Sequence, residues 1–497
     1  MDVRRLKLDV SNQTRSLDSL FELIEGLDRR VRQLEVENSR LRERLGKYEP
    51  EVLKSPKPES TSDGQASGAD SQDYSLQSEE KRRRKKKKKR KPARQGRVST
   101  EEKLKSAERI EDLFPEGISP KQSELDSVRV AWRIEDGHAV LVGYRLHRGP
   151  NGEKADIPDV LPQGEFDMQI IVALAYLTYI LRLSLDQACE LFQFFWKLPM
   201  AKSQADALLN QLARNWDAEF QRLCELLALS AVAWTDETGW KIAGRADNAA
   251  VFASPEHTVL LYGCPKGNAT LEKILPPGVF RGVLVSDDHS SYQGLSKMQK
   301  CWAHLLRKAI HLAVLYPEHA VYRCFLDDLL ALYRQAQRRR KDGRLSESGR
   351  RRWANEFNNQ ARALCVPHCW NRAQPARTAH AKDHERLANE IYRLAELDQL
   401  FTFVVHPEVP GTNNSSEQLL RGAAQSRKLD RTSKSDHGCR RRSVITSVLE
   451  SLRKHLGTLT LQAATDTVKQ WLTTGRSVFT SQLNKAKRLH KLNFSPG

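Results

Sequence analysis

The sequence predicts an α/β fold centred on a mixed β-sheet, on three observations. Short apolar runs at 231–234, 249–253, 258–262, 282–286 and 299–303 read as five strands, with a helical stretch from about Asn268 between the third and fourth. Three consecutive strands, then a helix, a strand, a connection, a strand and a helix is the order of a ribonuclease H-like core. Residues 304–410 then turn charged and helical in period, before a further helix led by polar residues near 414. The core is therefore expected over 229–303 and 411–475, split by a large helical insertion over 304–410.

Each upstream element has its own pattern. Within 14–48, Leu17, Ile24, Val31, Asn38 and Leu45 fall at heptad position a, and Leu20, Leu27, Leu34 and Leu41 at d. Ile and Val at a with Leu at d favour two parallel strands and a single Asn at a fixes register, so a coiled-coil homodimer is expected. A helix packed on the protein's own body would show a related periodicity. Residues 49–103 are poor in apolar side chains and read as a disordered linker. Its run 81–97, KRRRKKKKKRKPARQGR, carries 13 basic side chains and no acids, which is most of the formal net charge of +19. Such a block binds polyanions through counterion release without reading sequence; solubilising and nuclear-targeting tracts look alike. A basic leucine zipper is excluded, because the basic run follows the heptads across a Pro/Ser/Gly-containing spacer instead of preceding them.

From 104 to 228 a mostly helical DNA-binding region is expected. It includes a β-hairpin over 127–147 that turns at Glu135-Asp136-Gly137. Further on, a break at Leu198-Pro199 separates two helices in a helix-turn-helix pattern, with Lys202, Gln204 and Asn210 as candidate groove contacts. Helix pairs of this kind also occur in ordinary helical domains.

Composition narrows the classes. At 497 residues and 39% hydrophobic, the chain exceeds what one core usually supports. The longest apolar run, Ile170 to Leu181, is too short to span a bilayer, and MDVRRLKLDV lacks the apolar core of a secretory signal, so the cytoplasm is the expected compartment. The eight cysteines form no Cys-x-x-Cys pair, which argues against a zinc ribbon or redox motif. Cys365, His368 and Cys369 lie close in sequence without an evident fourth ligand, and reduced thiols are the expectation.

Three acids stand where polar patches interrupt apolar runs. Asp236 in VAWTDETGW is expected to end the first strand of the core, and Asp287 in GVLVSDDHSSY the fourth. These strands are neighbours at the sheet centre in such a fold, and neighbouring strand ends open on one crevice. Glu417 in GTNNSSEQLL falls in the first turn of the helix after the insertion. Converged, the three would hold divalent cations for in-line displacement at phosphorus, with Mg2+ suited to hard carboxylates and Mn2+ as its substitute. Each also has a plainer reading: Asp favours turns, and Glu417 would complete a capping box begun at Asn414. The adjacent acids Glu237 and Asp288 should face the other way.

VAWTDETGW, GVLVSDDHSSYQGL, KCWAHLLRKA, GTNNSSEQLLRGAAQSRK and GCRRRSVITSVLESLRKH, in this order, resemble the transposase of the insertion sequence 66 family over about 160–455. That family also begins with a zipper. The resemblance implies a DDE transposase with a ribonuclease H-like catalytic core, acting near the bacterial nucleoid. It would cleave DNA at the terminal inverted repeats of its mobile element and join the freed 3′-hydroxyl to target DNA, with accessory proteins of the same mobile element as further partners. By the same resemblance Asp236, Asp287 and Glu417 match the metal-binding acids, and Cys301 and His304 the Cys-x-x-His signature near the fifth strand. A core cysteine and a helix-start histidine would account for that pair equally. Arg307, Lys308, Arg421, Arg427 and Lys428 flank the acids on helices expected to border the crevice, and are candidate phosphate contacts. One departure is that 104–160 contains no cysteine, so a zinc-stapled module before the helix-turn-helix is not supported. A DNA-binding derivative without catalysis, and a metal-dependent nuclease that cuts without joining, are the alternatives.

Overall fold

The computed structural model describes residues 98–288, 295, 297–369, 378–429 and 431–494, together with Gln33 and Val36. The chain divides into two units, Met1–Gln95 and Gly96–Gly497, and the architecture below is that of the second. The heptads and the basic run lie outside the described residues, save that Gln33 and Val36, at heptad positions c and f, are helical and exposed.

The second unit opens with helix α1 (Thr100–Lys105) and strands β1 (Arg109–Leu113), β2 (Glu124–Glu135) and β3 (His138–Arg148). They form a small sheet in the order β1-β3-β2, with β3 parallel to β1 and antiparallel to β2. Asp136 and Gly137 turn the hairpin with φ of 46° and 80°, the left-handed pair whose twist matches that of the flanking strands. Helices α2 (Met168–Ala175), α3 (Leu185–Trp196), α4 (Lys202–Asn215) and α5 (Asp217–Ala228) follow, α2 running on into a π-helical turn over Tyr176–Ile180. Ser184 and Gln187 start α3 with a reciprocal capping box.

The larger sheet contains β4 (Val232–Ile242), β5 (Arg245–Ala253), β6 (Thr258–Cys264), β7 (Val283–Ser286) and β8 (Met298–Lys300), with α6 (Asn268–Ile274) between β6 and β7. Its order is β6-β5-β4-β7-β8: the first three strands are an antiparallel meander, and β7 and β8 run parallel to β4. Two strand limits differ from the sequence expectation. The first strand does not stop at residue 234, because Thr235 to Ile242 continue to pair with β5, so Asp236 lies within β4 and not at its end. The fifth strand stops at Lys300, because Cys301 is already the N-cap of α7 (Trp302–Leu315).

Strand alternation sends side chains into two cores. Val232, Trp234, Val251, Val283 and Val285 pack with α7, α8 (Ala320–Lys341), α9 (Glu347–Cys365), α10 (Ala379–Glu396), α11 (Thr402–Val405) and α12 (Asn414–Lys428). Ala233, Ala250, Phe252, Leu284 and Met298 pack on the opposite face with α2 to α6 and with α13 (Asp436–Leu456), α14 (Leu461–Thr474) and α15 (Val478–Phe494). The result is an α/β layering with helices on both faces of the sheet. Among the described residues, no helix is long and apolar enough to cross a membrane.

Helix α13 also closes the outer edge of β6. The Oγ atoms of Ser451, Ser447 and Ser443 accept hydrogen bonds from the backbone N–H groups of Thr258, Leu260 and Tyr262 at 2.9, 2.8 and 3.0 Å. A four-residue step on a helix rises about 6 Å and a two-residue step on a strand about 6.6 Å, so every fourth helical residue meets every second strand residue. Ser451 returns its own hydroxyl proton to the Thr258 carbonyl at 3.0 Å, whereas that of Ser447 goes to the Ser443 carbonyl at 2.6 Å. Ser447→Ala would leave the Leu260 N–H buried without an acceptor, and should lower unfolding stability by about 1–3 kcal/mol in a denaturant titration.

Candidate functional site

The register of β4 on β7 sets the site. Val232, Ala233 and Trp234 pair in parallel with Val283, Leu284 and Val285. Carried two residues past its last paired positions, this register sets Asp236 level with Asp287, the residue just beyond β7, and strand alternation assigns Asp236 to the face of Trp234. Glu237, opposite Ala250, belongs to the other face. Asp288 forms an ion pair with Arg393 on α10. The two adjacent acids are thus directed elsewhere, as the alternation of the sequence suggests.

Glu417 comes from α12, which packs across β4 and β5. Its place is set by Asn413, which is wholly buried at the N-cap of that helix. The Asn413 side-chain amide donates to the Thr235 carbonyl at 2.8 Å, one residue before Asp236, and its backbone N–H donates to Cys301 Sγ at 3.1 Å. Ser416 Oγ donates to the Asn413 carbonyl at 2.9 Å. The capping-box reading of Glu417 is not met, since Asn414 is already inside the helix and the Glu417 carboxylate turns outward to accept from Arg307 at 2.7 Å.

Among the described residues the three carboxylates do not all come within 4.8 Å of one another, yet Asp236 feels the charge of the other two. Burial pushes the Asp236 carboxyl up from 3.8 to about 7, the negative charges of Asp287 and Glu417 add to the rise, and a 2.9 Å hydrogen bond from the Glu237 N–H offsets part of it. Beneath Asp287 lies Lys300, only 3% exposed, whose ammonium donates to the Asp287 carbonyl at 2.9 Å and to Ser286 Oγ at 3.2 Å. Burial lowers the Lys300 pKa, and the charges of Asp288 and Asp287 work against that fall. Asn413 and Lys300 were not visible as site residues in the sequence: one sits beside a more obvious cap, the other in a three-residue strand where a lysine reads as solvent-facing.

The remaining candidates separate. Cys301, His304 and Glu417 bring one ligand atom each within 4.8 Å of one another, His304 Nδ1 standing 3.7 Å from Glu417 Oε1. Cys301 is buried, which raises its thiol pKa. Arg307 holds Glu417, Lys308 pairs with Glu390 at 2.6 Å, and Arg427 donates to Thr238 Oγ1 at 3.1 Å on β4. Arg421 and Lys428 are exposed on the same stripe of α12 as Glu417.

On α4, Lys202 is exposed beside Asp186, and Gln204 accepts from the Ala201 N–H at 2.9 Å on the wall of a surface cleft. Asn210 does not face outward as a groove contact: it donates to Asp206 and accepts from Arg441 at 2.9 Å, with His437 at 3.0 Å. The physical reason is α13, which packs on α4 and brings Arg441 and His437 across it. Elsewhere, all eight cysteines are free thiols. Burial raises the Cys365 thiol to about 12, and among the described residues Cys365, His368 and Cys369 do not gather into a ligand group.

Asn413→Ala should cost about 1–3 kcal/mol by stranding the Thr235 carbonyl. Amide hydrogen exchange should then quicken at Glu417, whose N–H bonds to the Asn413 carbonyl, before it quickens in β4. Equal acceleration in both would remove the anchoring role.

A family model described as the transposase IS66 family matches residues 163–441, more than half of the chain. Among curated proteins no match is found.

Proposed function

The chain belongs to the transposase IS66 family, and from that premise we propose that its larger sheet is a ribonuclease H-like catalytic core. In it Asp236, Asp287 and Glu417 would carry DNA cleavage and strand joining. The observation that carries this reading is the parallel pairing of β4 with β7, which leads Asp236 and Asp287 toward each other, with Asp287 and Glu417 near enough that their charges raise the Asp236 pKa. The strand order, an antiparallel meander followed by two parallel strands, supports the core assignment.

The donor set suits hard divalent cations such as Mg2+ or Mn2+: three oxygen ligands, one of them raised to about 7 by burial and neighbouring negative charge. When bound, such cations supply an activated oxygen nucleophile at neutral pH and stabilise the leaving oxygen. The chain's own residues do the rest. Asn413 and Lys300 hold the Asp236 and Asp287 segments in place, and Arg307 orients Glu417. Arg421 and Lys428, without an ion pair among the described residues, would take backbone phosphates beside the acids. Cys301, through the Asn413 N–H, shapes the helix start that presents Glu417, and His304 borders that carboxylate. The heptads at 14–48 would pair two copies, and the basic run would hold DNA without reading its sequence.

The test is metal-dependent cleavage and strand transfer on DNA carrying the flanking inverted repeats. Asp236→Asn, Asp287→Asn and Glu417→Gln should each lower the rate about a thousandfold or more with the fold intact. Activity retained in all three variants would sink the assignment. Cleavage without joining in the wild type would instead make the protein a nuclease.

The raised Asp236 pKa gives a second test. Between 3.8 and about 7 the folded state holds a proton that the unfolded state has lost, so this group makes stability fall as pH rises through that window. A cation binding the ionised carboxylate removes that cost. Mg2+ should therefore raise the melting temperature more at pH 8 than at pH 5, and Asp236→Asn should abolish the difference. An equal increment at both pH values in the wild type would argue against ligation by Asp236.

A further inference from the structure

The helical insertion presents a second charged surface, built by none of the residues above. Helix α8 ends in Arg338, Arg339, Arg340 and Lys341, the following turn carries Arg344, and α9 starts with Arg350, Arg351 and Arg352 close behind. Basic residues at a helix C-terminus often only offset the macrodipole or solubilise a face. Three features here go beyond that.

First, the surface is concave. Arg338, Arg339, Lys341, Arg344 and Trp353 line a cleft of about 760 Å³, and the single acid in its wall, Asp342, is held by the Arg344 guanidinium at 3.0 and 3.2 Å. Second, the helix end is already satisfied from beneath. Arg350, 9% exposed, donates to the carbonyls of Arg340 and Asp342 at 3.1 and 2.7 Å, so the outer cations are not engaged in closing the helix. Third, part of the cleft is fixed in advance, because the Arg339 guanidinium stacks 3.9 Å over the Trp353 ring. Arg338 and Lys341 are exposed and make no ion pair among the described residues. Four cations face one carboxylate across a preformed hollow with an aromatic wall.

We propose that this cleft is a second DNA-contacting surface, which seats the sugar–phosphate backbone of the duplex the protein processes. Arginine forks match phosphate oxygens, and the Trp353 ring offers an apolar wall for deoxyribose. Contacts of this kind position a duplex without reading its bases. The inference rests on DNA as the partner implied by the family; it does not rest on the roles of Asp236, Asp287 and Glu417.

The test uses the full chain and a duplex carrying the terminal repeat, without divalent cations, so that cleavage plays no part. Binding is measured by fluorescence anisotropy over a range of NaCl concentrations. Arg338→Gln/Lys341→Gln/Arg344→Gln should weaken binding roughly tenfold and make the slope of log affinity against log salt shallower by about 2–3, as three lost phosphate contacts require. A control triple, Lys266→Gln/Lys273→Gln/Lys485→Gln, removes the same charge from other exposed positions. It should leave slope and affinity near wild type, and both triples should melt as the wild type does. Equal effects in the two triples, or no effect in the first, would overturn the proposal.

Discussion

Asn413 is the constraint on which the rest of the site depends. Its side chain and backbone tie the start of α12 to the Thr235 carbonyl on β4 and to Cys301 at the head of α7. Nearby, the Trp302 N–H donates to the Gly411 carbonyl and the Lys300 N–H to the Gln399 carbonyl, at 3.0 and 2.8 Å. The insertion therefore leaves and rejoins the sheet at one sealed junction. Among the described residues, five α-helices fold between those ties. Loop-closure entropy grows slowly with length, so a long insertion costs little once its ends are fixed.

The same junction sets the electrostatic balance. The three acids come from β4, from just past β7 and from the start of α12, and the cations near them come from different elements: Lys300 from β8 at the Asp287 carbonyl, Arg307 from α7 on Glu417, and Arg393 from α10 on the adjacent Asp288. None of these forms a close pair with Asp236, whose carboxyl is pushed to about 7. Glu417 and Asp288 are thus each met by an arginine, and Asp236 is met by neither of those two side chains.

The sequence was most informative where periodicity carried the signal. The five apolar runs became five strands, and the period-two argument that set Asp287 apart from Asp288 agrees with the ion pair that engages Asp288. It was least informative where partners are distant. The alternating TDETGWKI segment resembles a polar turn until β5 pairs with it, so the sequence alone ends β4 too early, with Asp236 at its end. Asn210 looks like an exposed helical polar residue until Arg441 and His437, more than two hundred positions later, cover it. Lys300 carries no local mark of burial, because only the fold puts its ammonium under the Asp287 carbonyl. Local chemistry predicted elements and faces; the polar contacts made by residues far apart in the chain had no signature to read.

The serine ladder on α13 has a further consequence. With β6 sealed by Ser443, Ser447 and Ser451, and β8 held by Thr402 Oγ1 and Gln399 contacts on the opposite side, neither margin of the larger sheet offers a free row of backbone groups. An unguarded sheet margin is where copies of a protein adhere to one another at random. Three hydroxyl groups on a single helix close this margin against such adhesion.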